Sequence, residues 1–190
     1  ETELVPMKNV PLAAQSFVTG KPAEGYELTA IELAEETVPV AARQELLDAI
    51  DALTTDSPLN IGSATEDVTG YVRLKKLTGV ENTLPTEIGV TARISEKQTE
   101  CTLRRLPIQT DGLADHLTAS LSTASTTAQL TGGYTFINAL DASSVHLFVD
   151  VSGLEEGVYT LPVQIHIDNA PEFTCALSSP EVTVTLQAKP

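Results

Sequence analysis

The feature that most constrains this chain is a hydrophobic pattern written twice. "VPVAARQELLDAIDA" (Val38–Ala52) lies over "AQLTGGYTFINALDA" (Ala128–Ala142) at an offset of 90 residues. Val40 falls on Leu130, Leu46 on Phe136, Leu47 on Ile137 and Ile50 on Leu140. The same offset sets Leu59 and Ile61 on Val149 and Val151, and Val68 on Val158. A slip of one residue then aligns Val72 with Val163 and Leu74 with Ile165. "EIGVTARI" (Glu87–Ile94) matches "EVTVTL" (Glu181–Leu186) at an offset of 94. Few residues are identical, but the apolar phase is kept. Phase is what a β-domain must keep, because a slip of one residue turns the core face to solvent.

Within each copy the pattern is mostly of period two. Ile88, Val90, Ala92 and Ile94 alternate with Gly89, Thr91, Arg93 and Ser95. Val182, Val184 and Leu186 do the same, and Tyr26–Leu33 and Leu117–Leu121 follow more faintly. Such alternation predicts half-buried antiparallel strands. One helix per copy is expected. In Ala42–Leu53 the residues Leu46, Leu47, Ile50 and Leu53 share a helical face. Its counterpart follows Gly132-Gly133 and shows Phe136, Ile137 and Leu140. "TDSPLN" and "GVENTLP" carry turn chemistry. The polar stretch "SEKQTEC" (Ser95–Cys101) marks the expected boundary, giving domains 1–98 and 99–190 placed end to end. The fold class is mainly β (β-rich α+β): two tandem homologous domains of antiparallel strands, each with one short helix.

Charge narrows the partners. The net charge is −15 and the sequence pI about 4.4. Such a field repels nucleic-acid phosphates and anionic headgroups. The basic pairs Lys75-Lys76 and Arg104-Arg105 read as solvated strand ends. The chain has no Trp, and aromatic residues make up 4%, so each core must be built from Val, Leu, Ile and Ala. No apolar run reaches the roughly 18–20 residues that span a membrane. The start, Glu1–Val10, shows no signal peptide and reads as a cut, compatible with an anchor upstream. Cys101 and Cys175 lack metal spacing and form no C-x-x-C pair. They are either bridged in an oxidising compartment or two small, partly buried thiols.

Reactive constellations are missing at the level of motif. Neither phosphate-cradling glycine pattern is present, nor H-E-x-x-H, a calcium loop or G-x-S-x-G. His146 and His166 lie out of phase with the apolar positions, so they point away from the core. Beside Asp150 or Asp168 they could ligate a metal; the simpler reading is exposed strand histidines, and His116 adds no motif. "SGLEEG" places Glu155 and Glu156 adjacent rather than at alternating positions, unlike a calcium loop. Gly153 and Gly157 are read as positive-φ positions in a structural hairpin linking the runs of "FVDVSGLEEGVYTLPVQIHI". Copy one reads Ser63, Ala64, Thr65, Glu66, Asp67 there, without the glycines, so its carboxylates are not tied to a fixed loop shape. No catalytic, cofactor-binding or metal-ligating residue is assigned, and no cofactor is expected.

At "DVSGLEEGVYTLPVQI" the chain resembles the YbbR-domain family. That family's pattern is an Asp-x-Ser-Gly turn, then Gly-x-Tyr, then a Val-Pro-Val strand. Here it is matched by Asp150, Ser152, Gly153, Gly157, Tyr159, Leu161, Pro162 and Val163. Pro11 and Pro107 follow apolar residues in the first strand of each copy, Gly25-Tyr26 precedes the second strand of copy one, and Ala128, Leu130 and Gly132 form the expected strand end. Copy one departs at Ala42, Asn60 and Ser63, and copy two has Asp115-His116 for Gly-Tyr. The resemblance covers about Val10–Lys189.

The resemblance implies a non-enzymatic role. Proteins of this family look like a membrane helix followed by several such domains on the extracytoplasmic face of the bacterial cell membrane. Some regulate a membrane diadenylate cyclase, which makes cyclic di-AMP. The expected function is therefore a regulatory interaction module with a protein partner. The alternative is a structural spacer, or an adhesive module that binds a cell-wall component.

Overall fold

Alternating side chains place the strands. The computed structural model describes residues 5–190; residues 1–4 of the expected first domain lie outside the described residues. Two compact units divide between Lys97 and Gln98. In the first, the strands are β1 (Met7–Pro11), β2 (Val18–Thr19), β3 (Tyr26–Leu33), β4 (Thr37–Ala42), β5 (Leu59–Asn60), β6 (Val68–Arg73), β7 (Val80–Thr83) and β8 (Glu87–Glu96). In the second they are β9 (Gln98–Asp111), β10 (Leu117–Leu121), β11 (Ser125–Gly133), β12 (Val145–Asp150), β13 (Gly157–Pro162), β14 (Gln164–Ile167), β15 (Phe173–Leu177) and β16 (Glu181–Ala188). Helix α1 is Gln44–Ala49 and α2 is Tyr134–Ala139. The class is mainly β, as expected.

The second unit closes two sheets on one core, whereas the first buries a main core between two sheets and a smaller cluster of Ile61, Ala92 and Ile94. The first unit has sheets β1-β4-β7 and β3-β8-β6, and a parallel pair β2-β5. The second has β14-β12-β9-β11-β15 and β10-β16-β13. The inward faces are Val38, Val40 and Ala42 against Ile88, Val90 and Val72 in one unit. In the other, Ala128, Leu130 and Val149 meet Val182, Val184 and Leu186. Each large aliphatic side chain removed from water in this way stabilises by roughly 1.5–3 kcal/mol. Among the described residues no buried side-chain nitrogen or oxygen lacks a partner.

The pairing is not wholly antiparallel. β12 runs parallel to the end of β9, with Val149 opposite Thr110 and Asp150 opposite Asp111. β2 and β5 repeat this on a smaller scale, with Val18 opposite Leu59 and Thr19 opposite Asn60. The expected hairpin over Phe148–Ile167 is therefore not formed. β12 pairs with β9 and β14, whereas β13 pairs with β16 in the other sheet. The acidic turn is a crossover between sheets. Both arrangements bury alternate residues, and alternation alone does not say which strand is the neighbour.

The first helix is shorter than its apolar periodicity suggests. It ends at Ala49, and Ile50 is already extended. Leu53 leaves the helix to bridge Leu12; its N–H donates to Pro11 O and its carbonyl accepts from Ala13 N, each at 2.9 Å. A six-residue helix without a side-chain N-cap is marginal alone, so the tertiary bridge wins. Lys8 Nζ donates to the carbonyls of Leu47 (2.7 Å) and Ile50 (3.3 Å) where the helix stops. "GVENTLP" also departs from expectation: Val80–Thr83 forms β7 instead of a turn. Ser95–Cys101 is strand except at Lys97, where a polar link was expected. Arg104-Arg105 does not end a strand. It lies within β9 beside a register shift against β11, and Arg105 has a φ of 58°. That is a β-bulge, which a single sequence does not announce.

The two units share the helix, the parallel pairing and the antiparallel sheet after the crossover, although the second adds β14 beside β12. α1 and α2 keep the offset of 90. The strands after the crossover do not. Val72 pairs with Ile88, and Leu161 pairs with Val182. Leu74 N–H donates to Thr86 O, and Val163 N–H to Pro180 O. Because Ile88 and Val182 are equivalent, the offset here is 89. Val68 thus matches Gly157, not Val158, whose side chain is 68% exposed. The slip runs opposite to the expected direction, because the crossover in the second unit is one residue shorter.

Cys101 and Cys175 stand opposite Leu130 on its two sides, in β9 and β15. Two strand spacings separate them, about 9–10 Å, whereas a disulfide needs Cα atoms roughly 4.4–6.8 Å apart. Both are free, half-buried thiols whose pKa values burial pushes up. The native chain is expected to titrate as two thiols under denaturing, non-reducing conditions, and to alkylate slowly at pH 8 because the thiolate fraction is reduced. A count of zero would contradict this geometry.

Candidate functional site

The place where both units invest the same unusual geometry is the crossover turn. In the second unit β9 ends at Asp111 and is followed by Gly112, with φ 71°. β12 runs beside it to Asp150. Val151 is buried, and its N–H donates to Asp111 O at 2.9 Å, which extends the parallel pairing by one bond. The Asp150 carboxylate accepts from the Ser152 N–H (2.9 Å) and the Ser152 hydroxyl (2.5 Å). These two donors, the hydroxyl first, hold the Asp150 carboxyl below the usual carboxylate range. Gly153 then takes φ 71°, and Leu154 N–H donates back to Val151 O at 3.2 Å. Side-chain oxygens of Asp and Asn close such turns because they can reach the backbone two residues on.

The first unit builds the same turn from different residues. Gly20 has φ 92°. Ile61 is buried, and its N–H donates to Thr19 O at 2.9 Å. Asn60 Oδ1 accepts from Gly62 N–H at 2.8 Å. Ser63 holds φ 59° where the second unit has Gly153, and Ala64 N–H donates to Ile61 O at 3.1 Å. Loss of the glycine therefore does not free the loop, contrary to expectation. The tertiary frame carries the cost of a non-glycine residue in the left-handed region.

Both leading glycines are also sites of close approach. A Cβ at Gly20 would lie 2.8 Å from Asn60 Oδ1 and 2.9 Å from Gly62 N. A Cβ at Gly112 would strike Ser152, with its Cα at 3.1 Å and its hydroxyl nearer still. Gly157 does not supply a positive φ, as was expected of it. It leaves room for the Tyr159 ring, which a Cβ there would meet at 3.1–3.2 Å, and Tyr159 Oη donates to Glu155 O at 3.2 Å.

The titratable candidates are not drawn together. His146 and His166 are cross-strand partners and exposed, as their phase implied. They line an open hollow of about 330 Å³ with Gln109, Asp111 and Phe148. His166 Nε2 contacts Asp168 Oδ1 at 3.0 Å. His116, Glu155 and Glu156 are exposed. Among the described residues no group of three or more His, Cys, Asp or Glu side chains could hold a metal. Lys75 pairs with Asp56 at 3.3 Å. One cluster went unread in the sequence: Arg93 binds Glu32 (2.8 Å) and Asp67 (2.6 Å), and Asp67 also accepts the Ile94 N–H at 2.8 Å. Arg93 lowers both carboxyl pKa values.

These features define a class: two-sheet β-domains in tandem, each latched by a side-chain-closed crossover turn. A family model described as YbbR-like protein matches residues 10–92. That match lies within the first unit, which is therefore similar to YbbR-like domains. Over 189 residues it is 24% identical to the CdaA regulatory protein CdaR of Bacillus subtilis (strain 168), covering 97% of this chain. The chain spans 38% of that relative's length. Solved structures with likeness include a YbbR-like domain from Listeria monocytogenes (16% identity, 48% of this chain and 95% of that one, TM-score 0.44). A YbbR-like protein from Streptococcus pneumoniae covers 100% of this chain and 98% of its own at 12% identity and a TM-score of 0.33.

The latch makes a graded prediction. Gly112→Ala adds a clash with Ser152 to the cost of a positive φ, and is expected to destabilise the second domain by about 2–3 kcal/mol. Gly153→Ala meets nothing within 4 Å and should cost only about 1 kcal/mol. Denaturant unfolding of both variants checks the order; equal losses would contradict the close-approach role.

Proposed function

We propose that this chain is a non-enzymatic interaction module of a membrane-anchored regulator, acting on the extracytoplasmic face of a bacterial membrane. Its partner in this reading is a membrane diadenylate cyclase, whose output of cyclic di-AMP it adjusts. The observation that carries the reading is the similarity to the protein named as the regulator of CdaA. That similarity runs through both units instead of stopping at the matched residues 10–92. The second unit is proposed to be a second YbbR-like copy, which the equivalent crossover turns and helices support. Among the described residues no helix is long and apolar enough to cross a membrane, so the anchor is proposed to lie outside them.

The net charge of −15 supports a protein partner over nucleic acid. The dispersed titratable groups support contact over chemistry: a catalyst needs a nucleophile or base within hydrogen-bond reach of an orienting group.

Cells that express the cognate cyclase provide the test, with residues 10–189 present or deleted. The reading expects cyclic di-AMP output to change at equal protein level and with an intact anchor. Unchanged output would overturn it and leave these domains as spacers.

A further inference from the structure

β3 is an edge strand. It hydrogen-bonds to β8 on one side, and among the described residues no strand pairs with its other side. Ala34 N–H donates to Gly89 O at 2.8 Å. The ladder alternates, so the N–H groups of Leu33 and Ile31 turn toward the open side. Two hollows lie along that side, of about 480 and 200 Å³. They share Ala14 and Ile31 and so form one groove of mixed lining, with Leu12, Ile31 and Leu33 beside the polar Gln15, Thr29 and Glu36. An unpaired edge beside a groove of mixed polar and apolar lining is what an added strand requires: backbone bonds for affinity, and hollows for alternate side chains.

Charge selects the occupant. Between Lys21 and Arg43 the chain carries Glu24, Glu27, Glu32, Glu35 and Glu36 and no basic residue. Glu32 is engaged by Arg93; Glu27, Glu35 and Glu36 are exposed. The second domain supplies an internal control. Its equivalent edge is β10, where Ser120 faces Thr185 as Glu32 faces Thr91. β10 reads Leu117, Thr118, Ala119, Ser120, Leu121 and has no carboxylate. The fold therefore does not require acid at this edge. A second copy of the chain is disfavoured, because pairing β3 with β3 sets glutamates against glutamates.

We propose that the β3 edge of the first domain is a docking site for an extended lysine- or arginine-bearing segment of a partner protein, which adds to the sheet as a further strand. This rests on the regulatory-contact reading above and names its face and its partner chemistry. The pairing is sensitive to salt, since its charges are exposed.

The test is amide hydrogen exchange on the whole chain at low salt with a short peptide alternating Lys and Val. Exchange at Ile31 and Leu33 should slow, with no matching change on β10. A Glu–Val peptide of the same length should have no effect, a comparison that needs no variant to fold. Combining Glu27→Lys, Glu35→Lys and Glu36→Lys should weaken Lys–Val binding by about tenfold or more, with β8 exchange unaltered as the check on folding. Three outcomes would overturn the proposal: no slowing on β3, equal slowing on β10, or slowing that follows self-association by sedimentation. If the cyclase output depends on residues 10–189 while β3 stays unprotected, only the docking edge falls. If β3 is protected and the output does not change, the regulatory reading falls instead.

Discussion

The rest of each domain depends on how the chain passes from one sheet to the other. A short parallel pairing brings β12 beside β9, and β5 beside β2. One further backbone bond, from Val151 to Asp111 or from Ile61 to Thr19, carries the pairing into the turn. There a buried aliphatic side chain enters the core while an Asp or Asn oxygen closes the turn around it. The glycine at the end of the facing strand lets the turn come close. Together with the apolar pattern, this latch sets the register at which β6 meets β8 and β13 meets β16. Register is what sets Val72 and Leu161 inward and leaves Val158 in water.

Much of this was legible because burial imposes a period. The strand Leu117–Leu121 follows from alternation, and Tyr26–Leu33 keeps it on either side of a bulge between Leu28 and Ala30. The outward direction of His146 and His166 follows from it too. What alternation cannot encode is neighbourhood. β12 and β13 look like the arms of a hairpin in sequence, yet they belong to different sheets. The helical face of Leu46, Leu47, Ile50 and Leu53 is equally genuine as a pattern. Leu53 is nevertheless buried from a bridge opposite Leu12, because Pro11 and Ala13 offer it backbone bonds that a short helix cannot match. The latch was half visible: Asp150, Ser152 and Gly153 stood out, while Gly20 and Gly112 did not. Their role depends on what lies across the pairing, not on their sequence neighbours.

Duplication separates what the fold needs from what it permits. Both domains keep the latch, the short helix and the inward aliphatic rows. They differ in surface charge: the free edge beside Glu32 in one domain has Ser120 at the matching place in the other. The framework is thus constant in its core and variable at its edges. The proposed role as an interaction module draws on the same contrast, since the distinctive residues are fold-makers and the distinctive surfaces are edges.

The most direct measurement is a transplant of the latch. Replacing Asp150-Val151-Ser152-Gly153 by the first domain's Asn-Ile-Gly-Ser sequence keeps the buried aliphatic position, the closing side-chain oxygen and the positive-φ slot. Hydrogen exchange of the second domain then reports whether the latch is a geometry or a particular set of side chains. If it is a geometry, the amide of residue 151 and those of β13 and β16 stay protected, with a stability loss of about 1–2 kcal/mol for the non-glycine residue at positive φ. Loss of protection throughout the second domain would contradict the equivalence of the two turns.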